Sequence, residues 1–512
     1  MTRTAAVIGS GFGGLALAIR LQSAGIQTTI FESREKPGGR AYVYEDQGFT
    51  FDAGPTVITD PSCLEELFEL SGRKLADYVT LMPVSPFYRL KWEDGDVFDY
   101  SNDEGSLMAQ ISARNPKDAE GYRRFMKYSE GVFEEGYRKL GHEAFLDFRS
   151  MLEAAPSLMK YQAWRSVYSI VSSYIEDPHL REAFSFHTLL VGGNPFNTSS
   201  IYTLIHALEK KWGVWFPKGG TGALVRGLVK LFTDLGGTIH LGTGVEAIEA
   251  ATGHVIGVRL PDGETRRFDS VASNGDVVHT YKDLLGHHPR GKKMAKAMQR
   301  KSHSPSLFVI YFGLKRQHPE IAHHSIIFGP RYKELLNDIY RTGTLADDFS
   351  LYLHHPTASD PDLAPQGCSC FYVLSPVPHL GKFPADWDKV APIYADRILD
   401  YLEKHHIPGL RDDLVTMRTF TPQNFKTELN AHLGSAFSLE PVLWQSAYFR
   451  THNRDDVLKN LYFVGAGTHP GAGIPGVVGS AKATAKLMVA DLGVSETAGW
   501  PSNGGPMLVA AQ

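Results

Sequence analysis

Near its N-terminus the chain reads Thr4-Ala5-Ala6-Val7-Ile8-Gly9-Ser10-Gly11-Phe12-Gly13-Gly14, and Glu32 stands at the end of the next β-branched run. The pattern predicts a strand over 5–8, a helix starting near Phe12, and a second strand over 27–31. Each spaced glycine has a task in holding a dinucleotide. Gly9 permits the tight turn, Gly11 lets the backbone approach a pyrophosphate, and Gly14 lets helix and strand pack closely. A pyrophosphate then lies on the free N–H groups at the helix start. Glu32 is the acid that takes ribose hydroxyls, and its charge disfavours a 2′-phosphate such as that of NADP.

This segment also has the outline of a secretory signal, with Arg3 before an apolar run. Glycines and Arg20 interrupt that run and it continues into the Glu32 strand, so it reads as structure.

A chain of 512 residues exceeds one core and predicts two or three domains. A net charge of −4 carries no basic footprint for nucleic acid. Three cysteines, Cys63, Cys368 and Cys370, make no disulfide framework and point to a reducing cytoplasm. Cys368 and Cys370 adjoin an apolar strand pattern and read as core. No stretch reaches the roughly 20 apolar residues of a membrane-spanning helix. Four histidine pairs (287/288, 323/324, 354/355 and 405/406) invite a metal reading. Adjacent histidines do not share a helix face and no carboxylate joins them at helical spacing, so they are expected at surfaces and loops, with no metal site.

Further along, a helix is expected over 64–79, and residues 115–209 read as mainly helical. The segment 157–175 is rich in aromatic and apolar residues with Lys160 and Arg165 beside them. It suits either a helix lying in a membrane interface or a buried domain helix. A second glycine turn at Lys218–Gly222 feeds a helix over 224–235. Gly242-Thr243-Gly244 formally repeats the dinucleotide pattern, but strands around a Thr-Gly-His turn follow it where a helix is required. One nucleotide domain is therefore expected. Strands are expected over 305–315, 349–354 and 369–377, with helices over 331–340 and 390–405. Leu461–Val464 precedes a last glycine island, Gly465-Ala466-Gly467-Thr468 to Gly473-Ile474-Pro475-Gly476, and a helix over 479–492.

The order of these islands resembles the glutathione-reductase-like flavoproteins that include the amine oxidases. Gly38-Gly39-Arg40, Phe51–Thr56, Ser185-Phe186-His187, Gly192–Pro195, Trp212–Gly222 and Gly465–Gly476 are similar to the bacterial-type phytoene desaturase family over roughly residues 4–492. The resemblance implies an α/β (α+β overall) architecture. A discontinuous Rossmann-like FAD-binding domain (1–80, 214–290 and 440–495) would join a mixed substrate domain (81–114 and 291–439). A helical, membrane-associated domain (115–213) and a disordered tail (496–512) would complete it. It implies FAD on Gly9, Gly11 and Gly14, with Glu32 on the ribose and the Val245 backbone on adenine. Gly39, Arg40, Gly54, Pro55 and Thr56 would approach the flavin side. Gly465, Ala466, Gly467, Thr468, Gly473, Ile474, Pro475 and Gly476 would line pyrophosphate, ribityl chain and ring. Many amine oxidases place an acid near Gly467; Ala466-Gly467 leaves that role to backbone N–H groups. No cysteine lies in 420–470, so the FAD is expected to be non-covalent.

The implied reaction is stepwise dehydrogenation of 15-cis-phytoene towards lycopene, with the hydride taken by flavin and oxygen or a quinone as electron acceptor. His469 stands close to the implied flavin, as a catalytic residue or a loop fastener. A membrane-dissolved C40 polyene as substrate raises the interfacial reading of 157–175. It also implies a cytoplasmic protein held peripherally on the inner membrane. Alternative readings are another carotenoid desaturase or isomerase, an amine oxidase, or an escort protein that has lost its flavin.

Overall fold

The computed structural model describes residues 2–494, so the tail expectation falls outside the described residues. The first strand, β1 (Thr4–Ile8), is central in a five-stranded parallel sheet. Its order is Leu461–Phe463, Ser270–Ser273, β1, β2 (Gln27–Phe31) and Thr238–His240. Helix α1 (Phe12–Ser23) is buried from Phe12 through Leu21. It packs between the helices Gly220–Asp234 and Ile474–Asp491, forming one core with α2 (Ser62–Glu69). Small residues on α1 permit this: a Cβ on Gly14 would lie 2.1 Å from the Gly9 carbonyl oxygen.

A second sheet has seven strands, ordered Leu414–Phe420, Ser306–Leu314, Ser369–Val377, Leu351–His354, His324–Phe328, Tyr88–Trp92 and Val97–Tyr100. Its neighbours are antiparallel except His324–Phe328 against Tyr88–Trp92. Residues 104–212 supply mostly helices, packed on that sheet's end through Phe125, Phe184 and Phe186.

Several elements differ from their sequence expectations. The 64–79 helix is α2 followed by a short 3-10 turn, Leu75–Asp77. The 157–175 helix does not exist as one element. Helix Phe148–Lys160 ends in a turn, and Val167–Val171 forms a separate short helix with Val167, Ile170 and Val171 buried. The last helix begins at Ile474 rather than near 479, because Pro475 in its first turn has a backbone angle already suited to a helix start. The expectation for the histidine pairs fails at two of the four. His323, His324, His354 and His355 are all buried in or beside the seven-stranded sheet. Helix spacing was the wrong test, because strands bring side chains together across the register, not along the chain.

Candidate functional site: a dinucleotide cleft joined to an apolar chamber

One continuous cavity of about 580 Å³ runs from the carboxyl ends of the parallel strands to the helical region. Its polar end is lined by Gly9, Gly11, Glu32, Arg40, Gly244, Val245, Asn274 and Asp276. Ligands bind at such strand ends because the loops there converge on helix N-termini. Glu32 is buried at the end of β2. Its carboxylate accepts from Ser10 N (2.9 Å), Ser10 Oγ (2.6 Å) and Arg34 N (3.0 Å). Gly39, Gly54, Pro55, Thr56, Ala466, Gly473, Ile474, Pro475 and Gly476 line the same cavity.

The backbone is drawn close throughout this end. A Cβ on Gly11 or Gly13 would meet the Asn274 amide at 2.9 or 2.6 Å, and one on Gly54 would lie 2.0 Å from the Arg40 carbonyl oxygen. Gly465 has φ +103°, and a Cβ there would also strike the Asn274 amide at 2.7 Å. Asn274 therefore joins the first and last glycine islands. The sequence reading missed it; the strand-then-turn pattern Ala272-Ser273-Asn274-Gly275 was its only signal. Gly467 and Thr468 stand behind the wall: a Cβ on Gly467 would meet Val277, and Thr468 Oγ1 donates to the Gly465 carbonyl.

Three polar side chains here have buried atoms without a partner. Arg40 Nε and Asp276 Oδ2 have no hydrogen-bond partner, and burial pushes the Arg40 pKa down while Asp276 opposes the shift. Arg450 donates from Nη2 to the carbonyl oxygens of Ala466 (2.6 Å) and Leu439 (3.3 Å), leaving Nε and Nη1 unpartnered. A cation thus backs the loop where the wider superfamily places an acid, and no local pattern around residue 450 announced it. The half-buried Arg40, converging N–H groups and the N-terminus of helix Ile474–Asp491, with Arg450 behind its loop, together form a cradle for a flavin dinucleotide. FAD fits these residues.

The second glycine turn does something else. The N-terminus of helix Gly220–Asp234 receives the Asp52 carboxylate, which accepts from Thr221 N (2.8 Å) and Gly222 N (3.1 Å). Burial pushes the Asp52 pKa up to about 6, against those hydrogen bonds. An internal carboxylate occupies the place a phosphate would take. After Gly244 the chain forms the hairpin Ala247–Ala251 and His254–Arg259, so no second dinucleotide unit follows.

His469 lines the cavity, and its Nε2 lies 2.8 Å from the Leu140 carbonyl oxygen. Burial lowers its pKa to about 4, so Nε2–H donates from a neutral ring. The opposite end of the cavity is apolar. Met151, Leu158, Leu190, Ile205 and Leu208 face Leu307, Val309, Ile326 and Leu374 of the large sheet. Helix Phe148–Lys160 forms part of this wall. That helix turns Met151, Ala154 and Leu158 inward and leaves Phe148, Leu152 and Met159 exposed, with Met159 at 67%. Trp164 (62%) and Trp444 (63%) are also exposed. Among the described residues no helix is long and apolar enough to cross a membrane.

Comparison with known proteins matches residues 12–489 to the family described as flavin containing amine oxidoreductase. A lycopene-forming phytoene desaturase of Pseudescherichia vulneris is 66% identical, across 95% of this chain and 99% of the relative. A neurosporene-forming phytoene desaturase of Cereibacter sphaeroides is 41% identical, across 94% of each chain. Among solved structures, an oxidoreductase from Methanosarcina mazei superposes with TM-score 0.64 at 18% identity, covering 95% of this chain and 99% of its own. Putrescine oxidase bound to putrescine gives 0.62 at 12% identity, covering 96% and 99%. These two show the fold alone. The chain belongs to the flavin containing amine oxidoreductase family, among its phytoene desaturases, and its cofactor is FAD.

Proposed function

We propose that the protein is an FAD-dependent phytoene desaturase that dehydrogenates 15-cis-phytoene stepwise to lycopene. The observation that carries the reading is one cavity whose polar end suits a dinucleotide and whose other end suits a long hydrocarbon. The identity of 66% to a lycopene-forming relative favours lycopene over neurosporene as end product. In this reading Gly9, Gly11 and Gly14 hold the pyrophosphate, Glu32 the ribose, and the Val245 backbone the adenine. Gly39, Arg40, Gly54–Thr56, Ala466 and Gly473–Gly476 hold the rest, with Gly465, Gly467 and Thr468 shaping the loop behind them, without a covalent bond to the protein. Residues 1–80, 214–290 and 440–495 form the FAD domain, 81–114 and 291–439 the substrate domain, and 115–213 the helical domain. When bound, the flavin supplies the two-electron acceptor that side chains lack.

The chain's own residues orient and exclude. The apolar walls keep water from the polyene, and Arg40 and Arg450 place fixed positive charge beside the cofactor cleft. His469, neutral and tied to Leu140, fastens the Pro470–Gly473 loop; we assign it a positioning role. The outer face of helix Phe148–Lys160, with Trp164 and Trp444, seats the protein on the cytoplasmic surface of the inner membrane, and polyene enters beneath it.

The test is incubation with vesicles holding 15-cis-phytoene and FAD, under oxygen or anaerobically with a quinone, followed by chromatography of the carotenoids. Lycopene is the expected product, and the arm that turns over identifies the electron acceptor. Phytoene left intact in every arm would sink the reading; accumulation of neurosporene would correct its end point.

A further inference from the structure

A buried histidine cluster lies behind the cavity wall and plays no part in the reading above. His324 and His354 face each other in register across the strands His324–Phe328 and Leu351–His354, and His323 immediately precedes the first of these. All three are buried, and a ring nitrogen from each lies within 4.8 Å of those of the other two. We propose that His323, His324 and His354 form a binding site for a divalent transition metal of the zinc class, with an oxygen ligand in its fourth position.

The argument starts from the contact between His324 Nδ1 and His354 Nδ1, which are 3.4 Å apart. As a hydrogen bond that is long for a nitrogen pair. It also competes for an atom already engaged, since the Tyr352 hydroxyl stands 2.7 Å from the same His324 Nδ1. As the edge of a tetrahedron it is apt, because zinc–nitrogen bonds of about 2.1 Å put neighbouring nitrogens about 3.4 Å apart. His323 has its Nδ1 held by Ser359 Oγ at 2.7 Å, which fixes its ring and leaves Nε2 without a partner. A ring anchored through one nitrogen and open at the other is the usual arrangement of a ligating histidine.

The cluster His187, His206 and Glu209 makes a useful contrast. There both His206 nitrogens are engaged, by the Tyr100 hydroxyl and the Phe184 carbonyl, and Tyr88 donates to Glu209 at 2.7 Å. There His187 and Glu209 Oε2 are left without a partner, but neither His206 nitrogen is open to a metal. The His323 cluster has convergent nitrogens and no carboxylate to tie them.

The experiment uses the tag-free full chain, stripped with chelator, loaded with zinc and dialysed. Bound zinc is measured by elemental analysis and its ligands by X-ray absorption at the zinc edge. One zinc per chain with three imidazole ligands and one oxygen is expected. His323→Gln and His354→Gln should each weaken zinc binding by at least about tenfold, while His187→Gln leaves it intact. The proposal is overturned if the wild-type chain retains no zinc, if the edge shows fewer than three imidazoles, or if both glutamine variants bind as the wild type does. Because the wild-type measurement stands alone, poor folding of a variant does not rescue it. None of these readouts depends on desaturase activity.

Discussion

Adding one methyl group at position 14 would press it to 2.1 Å from the Gly9 carbonyl oxygen, a backbone atom that cannot swing aside, with the Asn274 Cβ at 3.3 Å. Gly14→Ala should therefore cost about 1–3 kcal/mol or more through overpacking and splay the turn that meets the pyrophosphate. Thermal unfolding should fall, and flavin absorbance retained after gel filtration should drop; full flavin content would contradict the assignment. Arg450 makes the opposite kind of prediction. Its guanidinium is buried beside Ala466 with two nitrogens unpartnered. Arg450→Met removes a costly buried charge, so the apo protein should lose little stability. FAD affinity should fall, because the Ala466 carbonyl loses its charged hydrogen bond and the last glycine loop loosens, read by fluorescence titration. Glycines and Glu32 were legible in the sequence because their roles are local, set by one strand, one turn and one helix. Asn274 and Arg450 were not, because what gives them meaning is a neighbour brought from the far end of the chain.

Helix α1 is pinned to its neighbours by charge as well as packing. Arg20, 1% exposed, pairs with Glu66 of α2 at 3.0 Å, and Lys482 of the Ile474–Asp491 helix reaches the same carboxylate at 3.0 Å. Burial alone would push the Glu66 pKa up, but Arg20 and then Lys482 pull it down to about 2. The folded value lies below the unfolded one. The stabilisation is therefore complete above about pH 4.5 and is lost as pH falls towards 2, amounting to roughly 3 kcal/mol. Glu66→Gln should cost about 3–5 kcal/mol at neutral pH, since it leaves Arg20 buried and unpaired, and should flatten the acid limb of stability against pH. Urea unfolding at neutral pH and near pH 3 separates the two effects. The helix Phe148–Lys160 faces outward in function. Replacing Leu152 and Met159 together by Glu should lower partition to anionic vesicles by tenfold or more, since each apolar side chain is worth about 1.5–3 kcal/mol when buried. Unchanged co-sedimentation with vesicles would move the membrane face elsewhere. The aromatic and apolar residues of 157–175 were real, but Val167, Ile170 and Val171 turn inward and only Met159 and Trp164 stand out. Composition could not tell a lipid-facing side from a core-facing one.

Across the whole molecule, the cavity is assembled from residues as distant in sequence as Ile8 and Val477. A ligand bound there ties the ends of the chain together and is absent from the unfolded state. FAD at a hundredfold excess over its dissociation constant should stabilise the fold by about 2.7 kcal/mol, seen as a thermal midpoint that rises with FAD concentration. A midpoint independent of FAD would exclude this cavity as its site. The sequence by itself determined the dinucleotide unit and the rejection of a second one, since strand, turn, helix and acid interact within a few tens of residues. Only the tertiary structure decided the rest. The Lys218–Gly222 turn proved to hold Asp52, Arg450 came to back the last glycine loop, and two of four histidine pairs converged behind the cavity. The reason is physical: a turn's backbone angles are set by its own residues. What a buried charge or imidazole meets is set by strand register and helix packing, which join residues no short-range pattern connects.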